Sequence, residues 1–417
     1  MVPNGWKETK LIDTSAKEKY SFTGGPFGSD LKSSDYTDNG VRIIQLQNIG
    51  DGKFNNGYKI FTSEEKADEL SSCNIFPNEI ILSKMGDPVA RATIIPSHHK
   101  RYLMASDGIR LKVDESKYDT FFIHEVINAP HFRGIALSKS TGSTRKRIGL
   151  TDLKNITFHC PPLIEQQKIA KILSTWDKAI STTERLIDNS TQQKKALMQK
   201  LLTGKKRLLD DSGKRFEGEW KSKVFKNILK LDRGSSPRPI IQYMTDSEDG
   251  VNWIKIGDTK GEGLYINSTK EKITKEGAEK SRKVSKGEVV LSNSMSYGKP
   301  YILNIDGYIH DGWFVIRKFE KNIDVNFLIQ ILSSELIQKQ YKRLAAGGVV
   351  SNISSELVYA VKVDLPSIPE QQKIATVLTS ADKEIELLEQ QLADLQQEKK
   401  ALMQVLLTGK VRVVVDG

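Results

Sequence analysis

An internal repeat constrains this chain more than any other feature of its sequence. The motif Glu-Gln-Gln-Lys-Ile-Ala at residues 165–170 recurs at residues 370–375, an offset of 205 residues. The same offset relates Lys-Lys-Ala-Leu-Met-Gln at 194–199 to 399–404, and Leu-Leu-Thr-Gly-Lys at 201–205 to 406–410. Solenoid repeats run about 20 to 50 residues, so this period is too long for a solenoid. The sequence therefore predicts two large, related units.

Each copy of the repeat follows a more divergent segment. These segments open on the pairs Trp6-Lys7 and Trp220-Lys221 and close on prolines, and weaker matches inside them relate Asp107-Gly108 to Asp311-Gly312. A chain of 417 residues also exceeds one ordinary core. We therefore expect globular domains at residues 1–160 and 208–365, each followed by a helical region, at 161–207 and 366–417.

The repeated segments carry a heptad pattern. Apolar residues recur at alternating steps of four and three, which is typical of helices that pair in a coiled coil. Proline precedes each segment and Thr-Gly follows it, as expected for a helix start and stop. The seam positions are Ile169, Leu173, Trp176, Ile180, Thr183, Ile187, Ser190, Lys194, Leu197 and Leu201, then Ile374, Leu378, Ala381, Ile385, Leu388, Leu392, Leu395, Lys399, Leu402 and Leu406.

Both divergent segments have the pattern of a mixed α/β fold. Short apolar runs at residues 41–46, 79–82 and 108–113 predict strands, and residues 118–129 predict a helix. In the second segment the corresponding strands fall at 251–254, 288–291 and 313–316, and a helix is expected near 326–343. The sequence thus predicts α/β (α+β) architecture in two copies.

The charge balance favours a polyanionic partner. The chain has 63 Lys and Arg against 52 Asp and Glu, a formal charge of +11 at pH 7, which makes nucleic acid the first candidate. The two cysteines, Cys73 and Cys160, lie far apart and have no metal-ligand spacing, and no long apolar run occurs. We expect a cytoplasmic protein without a disulfide framework or a metal site.

Polar loops at matched positions in the two halves have different side chains, as expected where base edges are read. Their Lys, Arg, Asn, Gln and Ser side chains offer the donors and acceptors used in the major groove, and basic loop residues suit phosphates. Ordinary solvated loops remain the alternative for any one residue. The candidate DNA-contact residues are Gln45, Gln47, Asn48, Ser83, Lys84, Arg91, Thr144, Arg145, Lys146, Arg147, Lys255, Asp258, Ser292, Asn293, Ser296, Tyr297, Lys299, Ser351 and Asn352.

The duplicated Glu-Gln-Gln-Lys-Ile-Ala start, the Leu-Leu-Thr-Gly-Lys end and the alternation with divergent domains resemble the specificity subunit of Type I restriction-modification systems. The resemblance covers essentially the whole chain. It implies two target-recognition domains, separated by two long antiparallel coiled-coil helices, with pseudo-twofold symmetry. Each domain would read one half of a bipartite, asymmetric site in double-stranded DNA, and the helices would set the gap. Polar seam residues Thr183, Ser190 and Lys194 of the first helix imply a partly asymmetric pairing.

The resemblance also implies partners. Two modification subunits, which bind S-adenosylmethionine and methylate adenine, would dock on the helical regions, and ATP- and Mg-dependent restriction subunits would join them. The repeated polar residues, interpreted as a surface, are the candidate docking set: Glu165, Gln166, Gln167, Lys168, Glu370, Gln371, Gln372 and Lys373. The basic cluster at residues 205–207 is interpreted as a favourable partner of the helix dipole.

We find no catalytic motif in the sequence. The one Pro-Pro pair, Pro161-Pro162, lacks the context of an adenine methyltransferase, and no phosphate-binding G-x-x-x-x-G-K-S/T loop occurs. We therefore expect no catalysis and no cofactor in this chain. Two other hypotheses stay open: a structural coiled-coil adaptor between protein partners, and a stand-alone DNA-modifying enzyme with an unfamiliar active site.

Overall fold

The computed structural model describes residues 3–259, 263–293, 298–319, 321–344 and 353–414, leaving aside the side chains of 318 and 319. The chain divides into two compact units. Unit 1 comprises residues 1–182 and 392–417, and unit 2 comprises residues 183–391.

The helices and strands of unit 1 come first along the chain. The strands are β1 (Lys7–Lys10), β2 (Phe22–Gly24), β3 (Tyr36–Thr37), β4 (Val41–Ile44), β5 (Ile60–Thr62), β6 (Asn74–Ile75), β7 (Ile80–Ser83), β8 (Ala92–Ile94), β9 (Tyr102–Met104), β10 (Gly108–Leu111) and β11 (Thr157–Cys160). The helices are α1 (Glu64–Glu69), α2 (Thr120–Asn128), α3 (Pro130–Ser138), α4 (Leu150–Lys154) and the long α5 (Leu163–Leu201), whose second half belongs to unit 2.

Unit 2 follows a parallel order. Its strands are β12 (Lys221–Val224), β13 (Leu229–Arg233), β14 (Met244–Thr245), β15 (Val251–Ile254), β16 (Tyr265–Ile266), β17 (Glu271–Ile273), β18 (Arg282–Val284), β19 (Val289–Ser292), β20 (Pro300–Leu303), β21 (Gly307–Ile309), β22 (Trp313–Phe319) and β23 (Lys362–Leu365). Its helices are α6 (Lys275–Glu279), α7 (Val325–Leu332), α8 (Glu335–Leu344), α9 (Ser355–Tyr359) and α10 (Ile368–Leu406), whose last residues belong to unit 1.

The same sheet plan occurs in both units. Unit 1 has sheets ordered β2-β10-β7-β8 and β3-β5-β4-β9-β6, and unit 2 has β13-β22-β19-β20-β16 and β14-β17-β15-β21-β18. A further strand pair, β1-β11 or β12-β23, joins the two ends of each globular domain antiparallel. Unit 2 differs by its extra edge strand β16, which pairs parallel with β20. The predicted α/β class in two repeated domains is confirmed.

The predicted elements lie close to the observed ones, with one exception. The helix expected near 326–343 is two helices, α7 and α8, because Ser333 and Ser334 interrupt it. Ser334 Oγ donates to the Ile331 carbonyl (2.5 Å) and receives the Ile337 amide (3.4 Å). A serine that bonds to the local backbone in this way competes with the regular helical hydrogen bonds.

The first residues of each long helix are held in the core of a globular domain. Ile169, Ala170 and Leu173 of α5 are buried with residues of α2, α3 and the end of α10 in unit 1. Ile374, Ala375 and Leu378 of α10 are buried with residues of α7, α8 and the end of α5 in unit 2. The repeated Ile-Ala of the motif therefore supplies the contact of each helix with a domain.

Within each unit the long helices run antiparallel. In unit 2, Ser190 Oγ donates to Glu384 (3.0 Å) and Lys194 pairs with Asp382, so residue numbers rise on α5 as they fall on α10. In unit 1, Lys399 of α10 forms an ion pair with Asp177 of α5. Three polar seam positions, Ser190, Lys194 and Lys399, are thus paired with acidic residues of the opposite helix. Coiled-coil packing along the whole seam stays a prediction.

A charged cluster, in which Glu125 is buried and Asp177 is partly exposed, joins three helices of unit 1. Lys399 of α10 lies 2.9 Å from Glu125 of α2 and 2.7 Å from Asp177 of α5. His124 Nδ1 lies 3.0 Å from the other carboxylate oxygen of Glu125. Burial works to lower the pKa of Lys399, but the charges of Glu125 and Asp177 outweigh burial and raise this pKa. The cluster therefore holds a lysine in its charged form between the domain and the helices.

The counterpart in unit 2 lacks one charge. At the offset of 205 residues, Gln330 replaces Glu125, Asp382 replaces Asp177 and Lys194 replaces Lys399. Gln330 Nε2 donates to Asp382 (2.8 Å), and Asp382 also accepts from Lys194. The contact between the domain and the long helices therefore contains two carboxylates in unit 1, and one carboxylate and one amide in unit 2.

This difference predicts unequal losses of stability. We expect Lys399→Met to destabilise unit 1 by about 3–5 kcal/mol, because it leaves the carboxylate of Glu125 buried without a cation. Lys194→Met should cost about 1 kcal/mol, because the carboxylate that it leaves, Asp382, is partly exposed and keeps its hydrogen bond from Gln330. Chemical denaturation measures both. Adding Glu125→Gln to Lys399→Met should restore much of the loss, and equal losses for the two lysine variants would contradict the assignment.

Candidate nucleic-acid interface

Two of the candidate loops of unit 1 are joined by backbone hydrogen bonds. The amide of Ile148 donates to the Lys84 carbonyl (3.0 Å), and the amide of Gly86 donates to the Lys146 carbonyl (3.1 Å). The Lys84 amide in turn donates to the Asp107 carbonyl (2.7 Å) in the turn before β10. The loop after β7 and the basic loop at residues 140–147 therefore form one surface.

The basic side chains of this surface differ in their contacts with acidic residues of the protein. Arg147 pairs with the carboxylate of Asp107. Thr144, Arg145 and Lys146 are exposed, and Lys84 is half-buried. We find no ion pair for Lys84, Arg145 or Lys146 within the part of the chain that the structure describes. Arg147 thus holds the loop in place, while the other three cations are available to an anionic partner.

A third candidate segment is tied to the same loop by Arg91. Its guanidinium donates to the carbonyls of Leu46 (3.0 Å) and Ile49. This contact places residues 45–49 beside the loop that follows β7. Gln47 is exposed, and the half-buried Gln45 donates to the Tyr36 hydroxyl (3.1 Å). The structure thus brings together three segments that lie up to a hundred residues apart, and gives Arg91 a positioning role.

Four candidate residues are buried, which removes them from the set that can contact DNA in this structure. Asn48 receives the Gln45 amide and donates to two carbonyls (2.9 and 2.8 Å), so its side chain closes the turn after β4. Ser83 is fully buried. Ser292 bonds with the backbone of Lys299, and Asn293 donates to the Asp311 carbonyl (2.8 Å). These four polar residues lie near the end of a strand, and they were predicted from the sequence to be exposed loop residues although their side chains are buried.

The candidates of unit 2 are only partly described. Lys255 pairs with Glu271 (2.7 Å), and Asp258 receives the amides of Lys255 (2.8 Å) and Lys270 (3.1 Å), which is the role of Asn48 in unit 1. Lys299 is half-buried with its ammonium 5.3 Å from the centre of the Tyr301 ring. The remaining candidates lie outside the described residues: Ser296, Tyr297, Ser351 and Asn352.

The first two residues of the proposed docking motif are also buried, contrary to their interpretation as a surface. Glu165 is 2 % exposed and accepts hydrogen bonds from Nε and Nη2 of Arg412 (2.6 and 2.7 Å) and from the Trp6 indole N–H (3.2 Å). Gln166 is 1 % exposed, receives the Asp119 amide (2.9 Å) and donates to the Pro161 carbonyl (2.9 Å). We call this set of contacts the helix-start latch of unit 1.

Unit 2 has the same helix-start latch without the indole hydrogen bond, because the buried Nε1 of Trp220 has no hydrogen-bond partner among the described residues. Glu370 accepts from Arg207 (2.7 Å to Nη2). Gln371 receives the Asp324 amide (2.8 Å) and donates to the Pro366 carbonyl (2.9 Å). The cluster at 205–207 was interpreted as a partner of the helix dipole, and this was wrong for Arg207. The missed signal is that Arg207 and Arg412 obey the 205-residue offset, as do Glu165 and Glu370.

The other half of the motif faces outward. Gln167 and Gln372 are exposed, and Lys168 and Lys373 are half-buried. Lys373 pairs with Asp211 (2.7 Å), and Lys168 donates to the Val414 carbonyl. The repetition of Glu-Gln thus has a structural cause within each unit, and a docking role is left to the exposed glutamines and their neighbours.

Comparison with known families shows to which family this duplicated chain belongs. Residues 31–189 and 217–397 each match the family described as the Type I restriction modification DNA specificity domain. The chain belongs to this family. The two matches together cover most of the sequence, and each includes most of one divergent domain and most of the long helix that follows it.

Named relatives agree with the family. The chain is 27 % identical over 334 residues, 75 % of each protein, to the Type I restriction enzyme MjaVIII specificity subunit of Methanocaldococcus jannaschii. Its fold is similar to the crystal structure of the Type-I restriction-modification system S subunit from M. genitalium, with a TM-score of 0.58, 16 % identity and 96 % of each chain covered. This specificity-domain protein therefore has the role of a Type I specificity subunit, the DNA-recognition component of its system.

Two negative findings concern the described residues alone. They contain no group of three or more His, Cys, Asp or Glu side chains arranged to hold a metal ion. No described helix is long and apolar enough to cross a membrane.

Cys73 and Cys160 are buried free thiols, and burial raises the pKa of Cys160 to about 12, so that thiol stays protonated near neutral pH.

Proposed function

We propose that each globular domain reads one half of a bipartite, asymmetric sequence in double-stranded DNA. The observation that carries the proposal is the duplicated frame with unlike loops. Apart from the extra strand β16 the sheets correspond strand by strand, while the loop after β7 and the loop after β19 have different side chains. A shared frame keeps each loop at the same place, and unlike side chains present different donors and acceptors to base edges. The two domains are assigned to residues 1–160 and 208–365.

Three cations of unit 1 are proposed to hold DNA through phosphates. Lys84, Arg145 and Lys146 stand on one surface without a protein counter-charge in the described part of the chain, and the net charge of +11 adds a favourable long-range field. Gln45, Gln47 and Thr144 are the candidates for base or backbone contact beside them. In unit 2 Lys299 is proposed to take the same role, and Lys255, which pairs with Glu271, and the candidates outside the described residues are proposed to contact DNA beside it.

The helical regions 161–207 and 366–417 are proposed to act as spacers that fix the gap between half-sites. Each of α5 and α10 has 39 residues, about 58 Å of helix, which exceeds one turn of B-DNA. Their antiparallel seams, with Lys194 and Lys399 held by acidic partners, support a rod of defined length. The coiled-coil pairing belongs to this proposal.

Two modification subunits are proposed to dock beside the helix starts, one at each repeat. Gln167 with Lys168, and Gln372 with Lys373, form the same exposed pattern in both units. S-adenosylmethionine, ATP and Mg would be bound by the modification and restriction subunits, and this chain would contribute recognition without catalysis. A duplicated docking surface suits two identical partners.

The first prediction concerns the function itself. N6-methyladenine should be mapped across a genome in cells that carry the modification subunits with and without this chain. We expect a bipartite motif with a fixed gap only when the chain is present. Methylation that does not depend on the chain would favour a structural adaptor, and methyl transfer by the purified chain alone would favour a stand-alone enzyme.

The second prediction concerns the cationic loops. We expect the triple variant Lys84→Ala, Arg145→Ala and Lys146→Ala to bind DNA about tenfold or more weakly at physiological salt, because each phosphate contact releases counterions. The slope of log affinity against log salt should fall by about one per lost contact. Titrations with duplex DNA measure both. Lys112→Ala is the matched control, because this cation lies at the other end of β10 and pairs with Glu18; an equal effect there would contradict the assignment.

The third prediction concerns the spacer. One heptad should be inserted after Asn189 and another after Glu384, beside the contact between Ser190 and Glu384, so that the seam keeps its register. Seven residues add about 10 Å of helix, and the preferred gap should grow by about three base pairs. Methylation mapping reports the gap. Altered half-sites with an unchanged gap would be incompatible with a spacer.

A further inference from the structure

One loop in each unit shares the frame of the candidate interface and was not among the candidate residues. It follows β2 in unit 1, at residues 25–32, and β13 in unit 2, at residues 234–239. We call these the tip loops. Each begins with a glycine: the Gly25 amide donates to the Gly108 carbonyl (2.8 Å), and the Gly234 amide donates to the Trp313 carbonyl (2.9 Å). The loops therefore start at equivalent places.

In each unit, close backbone contact holds the tip loop against the turn that precedes β10 or β22. A Cβ atom on Gly25 would lie 1.9 Å from the Ala105 carbonyl oxygen, and one on Gly234 would lie 1.9 Å from the His310 carbonyl oxygen. No residue with a side chain fits at either position without a shift of the backbone. The start of each tip loop is thus set by the fold and does not depend on its tip.

The same turn also carries the candidate interface. In unit 1 its Asp107 pairs with Arg147 and receives the Lys84 amide. In unit 2 its Asp311 accepts from Ser236 of the tip loop (2.8 Å), and its carbonyl accepts from Asn293 (2.8 Å). The hydrogen bond from Ser236 lowers the pKa of Asp311, which keeps this carboxylate charged. Each tip loop therefore lies beside the loop that is proposed to meet DNA.

The residues after the loop prolines are exposed and chemically unlike. Phe27 follows Pro26 and is 82 % exposed. Arg238 follows Pro237, and its side chain is 85 % exposed, with Asp311 at 3.9 Å. A large aromatic side chain left in water costs free energy that burial against a partner would recover. These two exposed residues thus lie on loops with a shared frame and differ in chemistry, as the proposed reading loops do.

We propose that Phe27 and Arg238 are specificity-determining residues, each for the half-site read by its own domain. Arg238 has the fork geometry that pairs with O6 and N7 of guanine in the major groove. Phe27 offers an apolar surface suited to the methyl group of thymine. This inference rests on the proposed function, since it assigns two further residues to the same DNA surface.

The test uses the complete complex with its modification subunits. Phe27→Ala and Arg238→Ala are each mapped for N6-methyladenine beside the unaltered chain. Ser34→Ala and Ile241→Ala are matched controls, because both residues are exposed at the middle of the short 3-10 turn that follows each tip loop. Thermal unfolding of all four variants reports whether they stay folded.

We expect each tip variant to relax one or two base pairs in one half-site, and the two variants to affect different half-sites. In binding assays with duplexes altered at those positions, discrimination should fall about tenfold or more, while the controls retain it. The exchanges Phe27→Arg and Arg238→Phe should change the preferred base instead of relaxing it. Because both tips are exposed, all variants should unfold at the temperature of the unaltered chain.

The outcomes separate this inference from the proposed function. If the unaltered chain specifies a bipartite motif and both tip variants keep it intact, the tip residues do not read bases and the inference fails alone. A uniform loss of affinity for every sequence would overturn it as well, since that is the signature of a phosphate contact. If the unaltered chain specifies no motif, the proposed function fails first.

Discussion

The rest of each unit depends on the helix-start latch, in which a buried glutamate is neutralised by an arginine that follows the other long helix. Glu165 is nearly inaccessible, and a carboxylate in that position is costly unless it is paired. Arg412 supplies the pair, and Arg207 does so for Glu370. The latch therefore ties the start of one helix to the end of the other and to the first residues of a domain.

The two units share the latch and differ in one buried contact and in the side chains of their loops. Gln330 in place of Glu125 removes one buried charge, yet Asp382 and Lys194 keep the contact between domain and helices. The loops beyond β7 and β19 keep their anchoring turn at Asp107 or Asp311 while their side chains change. Conserved anchoring with variable tips is what a protein needs if two domains are to read two unlike sequences.

The sequence predicted the helices and strands well, but it predicted less well which polar residues are exposed. Strands at 41–46 and 251–254 were found because apolar runs mark burial, which is a local property. Asn48 and Asn293 were misjudged because the same amide can face solvent or close a turn, and the periodicity of a short strand end cannot tell these apart. Arg238 and Phe27 were missed because their two loops share too little sequence to be recognised as a matched pair.

By itself, the sequence determined the duplication, the length of the two helices, the α/β class and the family, since all four are written in periodicity and in repeated motifs. Only the tertiary structure decided which polar residues are buried partners and which are exposed. The physical reason is that a polar side chain is stable inside the protein whenever a distant group satisfies it, as Arg412 satisfies Glu165 across the chain. Such a partnership depends on the fold and leaves no local pattern.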